Sequence, residues 1–192
     1  DALAGGEIRH AATGERETLT SIPDALRGFL AGHAADFKAW DREGAQPAEF
    51  IQELRELGLV GLIIPEEHGG AGYGPVELLI AMEEMGRALL CAPYLGTSVF
   101  AAQALLTCAD AVTQKELLPK IASGAAIVSV AFAEPNGRWD LAGIGLRASG
   151  TGASVTLDGE KTLVLDGLSA DVLLVVARGD AGLELLRVNT NA

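Results

Sequence analysis

Two short segments of the sequence contain residues whose types and order suit a ligand-binding site. Residues 131–140 read AFAEPNGRWD and follow the apolar run AAIVSV, and residues 159–167 read GEKTLVLDG. Proline ends strand pairing and Asn-Gly favours a tight turn, so the first segment predicts a strand that stops abruptly. A tight turn leaves backbone N–H groups that can bond one edge of a flat heterocycle, while a neighbouring strand covers another side. The two segments therefore fit a planar ligand at the rim of a sheet.

A purely structural interpretation of the first segment stays open beside this one. In that interpretation Glu134 and Pro135 close a strand, and Trp139 packs between two modules of the chain.

Other motifs in the sequence do not indicate a catalytic, cofactor-binding or metal-binding site. His68-Gly69-Gly70 is similar to an esterase oxyanion loop, but the sequence contains no G-x-S-x-G nucleophile elbow. The glycines of residues 70–74 lack the spacing and strand–turn–helix setting of a dinucleotide site, and are interpreted as a flexible connector. The three histidines have no partner at metal-ligand spacing, so no metal site is expected. The acidic pairs 66–67 and 83–84 are interpreted as solvated surface.

Composition excludes several classes of partner. A formal net charge of −12, with no basic cluster to break it, disfavours nucleic acid and anionic membrane surfaces. Cys91 and Cys108 lie in helical, alanine- and leucine-rich surroundings, which predicts two small buried hydrophobes rather than a disulfide. No apolar run reaches the length of a membrane span, and residues 1–17 lack the apolar core of a signal peptide. A cytoplasmic protein is expected.

The elements that must position the two segments fall into two groups. From Thr20 to about Gly124 apolar residues repeat with the helical period, which predicts four or five helices; Gly58 ends one as a left-handed cap, Pro75 restarts another, and Pro119 bends or ends the last. Beyond Gly124 the period changes to two. This predicts strands in AAIVSVAFA, IGLRAS, SVTL, EKTLVL, DVLLVVA and LELLRV, joined by turns such as Asp158-Gly159. The predicted fold class is α+β, with a helical domain over 1–124 and an antiparallel β domain over 125–192.

Three longer stretches stand in a specific order from about Trp40 onward. They are WDREGAQPAEFIQELRELGLVGLIIPEEHGGAGYGPVELLIAMEEMGRAL, QKELLPKIASGAAIVSVAFAEP and DGEKTLVLDGLSADVLLVVAR. In this order and spacing they resemble the acyl-CoA dehydrogenase family. The resemblance implies an N-terminal helical domain, a middle β-barrel-like domain and a C-terminal four-helix domain, of which this sequence matches only the first two.

The resemblance also implies a cofactor, a reaction and partners. The family binds FAD between the β domain and the C-terminal helices, oxidises an acyl-CoA thioester to its trans-2-enoyl product, and passes electrons to an electron-transfer flavoprotein. A carboxylate base takes the α-proton while the flavin receives the β-hydride. That base lies in the family's C-terminal region, so the resemblance assigns no catalytic residue within these 192 positions.

The family's site residues can be carried over by position. The resemblance implies cofactor binding at Phe132, Ala133, Glu134, Pro135, Trp139, Leu163, Val164 and Leu165, and substrate binding at Trp139 and Asp140. Three polar family side chains are replaced here, because a threonine falls on Ala133, a serine on Trp139 and a second threonine on Leu165. Losing three hydrogen bonds of roughly 1 kcal/mol each would weaken FAD binding by about two to three orders of magnitude. The Trp139 indole would also narrow the CoA channel.

The leading expectation is an FAD-dependent acyl-CoA dehydrogenase of lipid or sterol catabolism, forming a homodimer or homotetramer. The alternative is a non-catalytic or flavin-deficient partner subunit of a heterotetramer with a homologous subunit. A further alternative keeps the fold with other flavin chemistry, as in an acyl-CoA oxidase or flavin monooxygenase.

Overall fold

A computed structural model describes residues 23–24, 26–44, 47–151 and 154–190. The described residues form two compact units: the first comprises those up to residue 44 together with Gly74–Cys91, and the second comprises Pro47–Tyr73 and those from Ala92 onward. The domain boundary near Ser123-Gly124, which follows the order of elements along the sequence, stays a prediction.

Helices account for much of both units. Residues 23–24 and 26–32 are helical. The other helices are α1 Ala34–Glu43, α2 Ala48–Glu56, α3 Pro75–Ala88, α4 Ala102–Cys108 and α5 Ala111–Ala122, with a π-helix at Tyr94–Ala101 and short 3₁₀ turns at Glu66–His68 and Leu141–Gly143.

A buried carboxylate on α3 stabilises the first unit. Helix α3 begins at Pro75, as predicted, and the Glu77 side chain accepts the Gly74 N–H at 3.0 Å. Glu84 on α3 is buried and binds Arg27 in a two-bond fork, Nε to Oε2 at 2.8 Å and Nη2 to Oε1 at 2.6 Å. The hydrogen bond from Arg27 holds the pKa of Glu84 below its usual range, against the opposing effect of burial. The solvated-surface interpretation is therefore wrong for Glu84.

Backbone hydrogen bonds hold the glycine-rich residues 70–74 in place. Ala71 and Tyr73 donate their N–H groups to the carbonyls of Gly61 and Leu62, each at 2.9 Å. A Cβ atom at Gly70 would lie 2.0 Å from the Ile64 carbonyl oxygen, so only glycine allows this close approach. The flexible-connector interpretation is wrong, because backbone bonds fold this stretch onto the preceding turn.

The helical predictions of the second unit hold with two changes. Gly58 has φ 74°, the predicted left-handed cap after α2. The helical chain after Pro93 is divided into a π-helix followed by α4. Pro119 does not end α5, which continues to Ala122.

A five-stranded mixed sheet completes the second unit. Its strands are β1 Val128–Ala131, β2 Arg147–Thr151, β3 Ser154–Asp158, β4 Val172–Gly179 and β5 Gly182–Asn189. β4 lies parallel to β1, with Val128 opposite Val172, and antiparallel to β5, while β2 pairs antiparallel with β3 and touches β4 at one parallel position. The α+β class is confirmed. The antiparallel, barrel-like detail is not, since the described strands form a mixed sheet in the order β1-β4-β2-β3, which does not close.

The predicted strand EKTLVL is wrong, because residues 160–170 form irregular chain and turns. Leu163 and Asp166 have φ 51° and 54°, left-handed values that a continuous strand does not permit. The stretch is instead attached to the end of β1, where Thr162 N–H donates to the Ala133 carbonyl at 2.8 Å.

The core of the second unit lies on both faces of β4. Val172 and Leu174 pack with Leu105 of α4 and with Leu117 and Ile121 of α5. The alternate positions Val175 and Ala177 pack in a second cluster with Ala131, Leu146 and Ala148. The period of two along β4 therefore decides which residues meet the helices.

Two further expectations concern the surface. In the described part of the chain no helix combines the length and apolarity needed to cross a membrane. The prediction of two small buried cysteines is wrong, because Cys108 is exposed at the end of α4 and Cys91 is partly exposed.

Candidate functional site

A cavity of about 400 Å³ opens in the second unit between the π-helix, the end of β1 and the turn at residues 163–166. We call it the large cavity. It is lined by Gly96, Phe100, Gln103, Ala104, Ser129, Val130, Phe132, Ala133, Trp139, Leu163 and Leu165. The lining is mostly apolar, and its polar side-chain groups are the Gln103 amide, the Ser129 hydroxyl and the indole N–H of Trp139.

One wall of the large cavity comes from the end of β1. The strand stops at Ala131, because Pro135 and the following turn cannot continue the ladder. Gly137 N–H donates to the Glu134 carbonyl at 3.0 Å and Gly137 has φ 71°, so the predicted tight turn is present. The turn leaves Phe132 and Ala133 on the wall.

The facing wall comes from residues 163–165, which are far away in sequence. Leu163 is 79% exposed and Leu165 is partly exposed, although both are large and apolar. Ser129 donates its hydroxyl to the Leu165 carbonyl in a short hydrogen bond, which ties this wall to β1 and occupies the Ser129 proton. This wall therefore offers a ligand mainly an apolar surface.

A buried ion pair joins the two walls. Lys161 Nζ lies 2.8 Å from Glu134 Oε1 and donates to the Phe132 carbonyl at 3.1 Å, with both charged side chains less than one-tenth exposed. Glu134 also accepts the N–H groups of Gly145 and Leu146 at 2.8 and 2.9 Å. Burial raises the pKa of Glu134, but the bonds from Lys161 and these two N–H groups outweigh it and leave the pKa below its usual value.

The loop that carries Trp139 is closed by its own charges. Arg138 Nη2 lies 2.7 Å from Asp140 Oδ2, and Asp140 Oδ1 accepts the Gly143 N–H at 2.8 Å. Hydrogen bonding to Arg138 lowers the pKa of Asp140. Between them Trp139 is 71% exposed, so its ring lines the cavity rather than packing in a core.

The third wall is helical, and it was not expected from the sequence. Gly96 and Phe100 of the π-helix and Gln103 and Ala104 of α4 complete the lining. A Cβ atom at Gly96 would lie 2.7 Å from Asp166 Oδ2, so this glycine lets the 163–166 turn approach the helix. The signals that could have found this wall are a glycine and a lone glutamine in an apolar helix.

The sequence-predicted site residues divide into two sets. Phe132, Ala133, Trp139, Leu163 and Leu165 line the large cavity together. Glu134 and Asp140 have carboxylates already bonded within the chain, Val164 packs against the second core cluster, and Pro135 is an exposed turn residue. Lys161 holds the two walls together and is not among the residues predicted from the sequence.

The arrangement can bind but has no group for proton transfer. None of the described lining residues has an ionisable side chain. Asp166 lies just behind Gly96, and burial raises the pKa of its carboxyl. Phe100, Phe132 and Trp139 give the cavity surfaces suited to the face of a flat ring. Its polar edge would depend on main-chain groups and on Gln103.

Comparison with known proteins places this geometry in a family. Residues 16–125 match the family model described as acyl-CoA dehydrogenase, N-terminal domain. The (2S)-methylsuccinyl-CoA dehydrogenase of Cereibacter sphaeroides is 33% identical over 91% of this chain and 32% of its own length.

Solved structures agree on the fold. A variant of the Tcur3481-Tcur3483 steroid ACAD matches with a TM-score of 0.78 and 31% identity, over 92% of this chain and 49% of that one. A glutaryl-CoA dehydrogenase from Mycobacterium smegmatis in complex with FADH2 matches with a TM-score of 0.82 and 24% identity, over 90% of this chain and 45% of that one. The chain thus spans about a third to a half of the proteins it matches. Because the family model covers more than half of its 192 residues, the chain belongs to the acyl-CoA dehydrogenase family, whose members are FAD-dependent.

Proposed function

We propose that the protein takes part in α,β-dehydrogenation of an acyl-CoA thioester in lipid or sterol catabolism, with the large cavity receiving the flavin ring and the adjoining part of the substrate. The observation that carries this proposal is the meeting of residues 132–133 and 163–165 around one cavity of about 400 Å³. These are the two segments at which the family resemblance implies flavin contacts.

The lining supports the flat part of a flavin better than its polar edge. Phe132, Leu163 and Leu165 offer apolar contact, whereas the Ala133 and Phe132 carbonyls already accept bonds from Thr162 and Lys161. FAD, when bound, supplies the acceptor for the hydride that leaves the β-carbon. The residues of this chain orient the ring and exclude water, and none of the described lining residues supplies the base for the α-proton.

The substrate and the electron acceptor follow from the same proposal. The proteins matched carry names with methylsuccinyl-CoA, glutaryl-CoA and a steroid, so the acyl group varies within the family. We propose an acyl-CoA substrate that passes Trp139, and a separate electron-transfer flavoprotein as acceptor. The assembly is a homo-oligomer in this reading.

A second function is favoured by the side chains of the lining. Ala133, Leu163 and Leu165 offer no hydrogen-bonding group, and the Ser129 hydroxyl donates to the Leu165 carbonyl. This supports a flavin-deficient partner subunit in a heteromer with a homologous chain. A matched structure bears a paired designation, Tcur3481-Tcur3483, which is compatible with such an assembly.

The flavin spectrum of the whole protein separates the two functions. A yellow protein that reduces an artificial electron acceptor when given acyl-CoA thioesters supports the self-sufficient enzyme. A colourless protein that supports turnover only when co-expressed with a homologue selects the partner subunit. A colourless protein without activity in either setting contradicts both.

Titration with FAD tests the cavity itself. Ala133→Thr with Leu165→Thr restores two hydroxyls and should tighten FAD binding about tenfold or more. Ala142→Thr and Leu168→Thr make the same changes at exposed positions outside the lining and should leave the dissociation constant unchanged. Equal effects from both pairs would place the flavin elsewhere.

Calorimetry tests the role of Trp139. Trp139→Ser should strengthen binding of a CoA thioether, because the exposed indole stands at the cavity mouth. Unchanged binding would mean that the ring faces away from the path of the ligand.

A further inference from the structure

The π-helix Tyr94–Ala101 separates two cavities of different character. Gly96 and Phe100 face the large cavity. Tyr94, Thr97 and Ser98 line a second, small cavity of about 20 Å³, whose other lining is apolar and includes Ile51 and Ile127. π-Helical turns are rare, and those that occur are often found at functional sites. Because this π-helix borders both cavities, the contents of the small cavity affect the wall of the large one.

Two hydroxyl groups beside the small cavity lack a partner in the described part of the chain. Tyr94 Oη and Thr97 Oγ1 are both buried and make no hydrogen bond there. The two residues are only 5% and 4% exposed, so bulk water does not serve them. Burial raises the pKa of Tyr94, which keeps its phenol protonated and able to donate. Leaving two such groups unpaired would be costly.

The volume of the small cavity decides what could satisfy them. One water molecule needs about 10–15 Å³ measured in this way, so 20 Å³ admits one water and excludes an organic ligand. A wholly apolar cavity of this size would stay dry, but two hydroxyls give a water the polar partners that it requires.

We propose that one ordered water molecule occupies the small cavity, bridges Tyr94 Oη and Thr97 Oγ1, and stabilises the π-helical turn that presents Gly96 and Phe100 to the large cavity. The backbone of Thr97 links the two roles. Its carbonyl accepts the Ala102 N–H, a bond across five residues that defines the π turn, while its side chain reaches the water. The inference does not depend on the proposed function, because neither test below uses flavin or acyl-CoA.

A crystal structure of the whole protein at a resolution that shows waters tests the site directly. Density for one water within hydrogen-bond distance of both hydroxyls is expected. An empty small cavity, or a direct bond between the two hydroxyls, would overturn the proposal.

A double-mutant cycle tests whether the water couples the two side chains. Tyr94→Phe and Thr97→Val should each lower the equilibrium constant for folding. In the double variant the fold-loss should be smaller, by a factor of about three or more, than the product of the two single fold-losses. Tyr73→Phe and Thr107→Val, exposed positions of the same residue types, serve as controls and should show no coupling. Effects that simply multiply in the Tyr94 and Thr97 pair would overturn the bridge.

The structure of the double variant tests the second half of the proposal. Residues 94–101 should change from five-residue to four-residue hydrogen bonding, with Phe100 displaced from the large cavity. A π-helix that persists unchanged would show that the water does not stabilise the turn.

Discussion

Two ion pairs involve the segment 131–140 and differ in burial and reach. Glu134 and Lys161 are almost fully buried and join residues 27 positions apart, whereas Arg138 and Asp140 are more than half exposed and close a local loop. The first pair fixes the separation of two cavity walls. The second sets only the path of the loop that carries Trp139. Burial and sequence separation, rather than residue type, therefore decide which charged pairs shape the site.

The buried pair is satisfied on every side that the structure describes. Glu134 receives Lys161 and two backbone N–H groups, and Lys161 also donates to the Phe132 carbonyl. Breaking such a pair costs more than its net contribution, because it leaves an uncompensated buried charge. The exposed pair is screened by water and salt, so its loss should matter little.

The largest expected effect comes from removing the cation of the buried pair. Lys161→Met should lower the free energy of unfolding by about 3–5 kcal/mol, since Glu134 keeps its charge without its main partner. Chemical denaturation followed by circular dichroism measures the change. Lys120→Met removes the same side chain from the exposed pair with Glu116 and is the matched control. Equal losses in the two variants would contradict the comparison.

Acid should weaken the buried pair in a defined direction. The pKa of Glu134 lies below its unfolded value of about 4.5, so the stability that its charge contributes is complete above that pH and is lost as the pH falls through the folded pKa. Glu134→Gln should therefore be less stable than the parent at neutral pH, with the gap narrowing as the pH falls below the unfolded pKa of about 4.5. Other carboxylates titrate in both proteins and cancel in the difference. A gap independent of pH would mean that Glu134 is not charged when folded.

A smaller effect is expected at the exposed pair. Arg138→Gln removes the partner of Asp140, but Asp140 still accepts the Gly143 N–H, so the loop should keep its turn and the midpoint of thermal unfolding should barely move. Raising the salt concentration should remove what difference there is. A loss comparable to that of Lys161→Met would contradict the distinction drawn between the pairs.

The smallest effect on stability is expected at Trp139. Its indole is largely exposed, so Trp139→Ser should leave the free energy of unfolding almost unchanged while widening the cavity mouth. The matched change at the more buried tryptophan of the sequence, Trp40→Ser, should be clearly destabilising because Trp40 packs with Phe37 at 5.6 Å between ring centroids. A large loss at Trp139 would show that the ring has a packing role.

Local patterns were enough to predict most elements. Proline and glycine signals placed the start of α3, the cap at Gly58 and the turn after Glu134, because these depend on backbone geometry near the residue itself. The alternation of apolar and polar residues in 160–165 led to the wrong prediction of a strand. A period of two cannot distinguish a strand from a turn that Thr162 and Lys161 anchor to the end of β1. The parallel pairing of β1 and β4 is non-local and had no signature in the sequence.

The candidate site was predicted in part for the same reason. Residues carried over from the family resemblance included five that line the large cavity, but the sequence alone could not show that Glu134 points to Lys161. The helical wall was missed because Gly96 and Phe100 look like ordinary core positions until the π-helix sets their direction. Side-chain direction, unlike element type, depends on the packed structure.

Gly96 links the volume of the large cavity to the position of the 163–166 turn. Even a methyl group there would meet the Asp166 carboxylate, and its next neighbour would be Leu165 on the opposite wall. A larger residue at 96 would therefore fill space and push the 163–166 turn outward in one step. Ligand selectivity therefore cannot be changed by enlarging residue 96 in small steps. It changes only together with the position of the 163–166 turn.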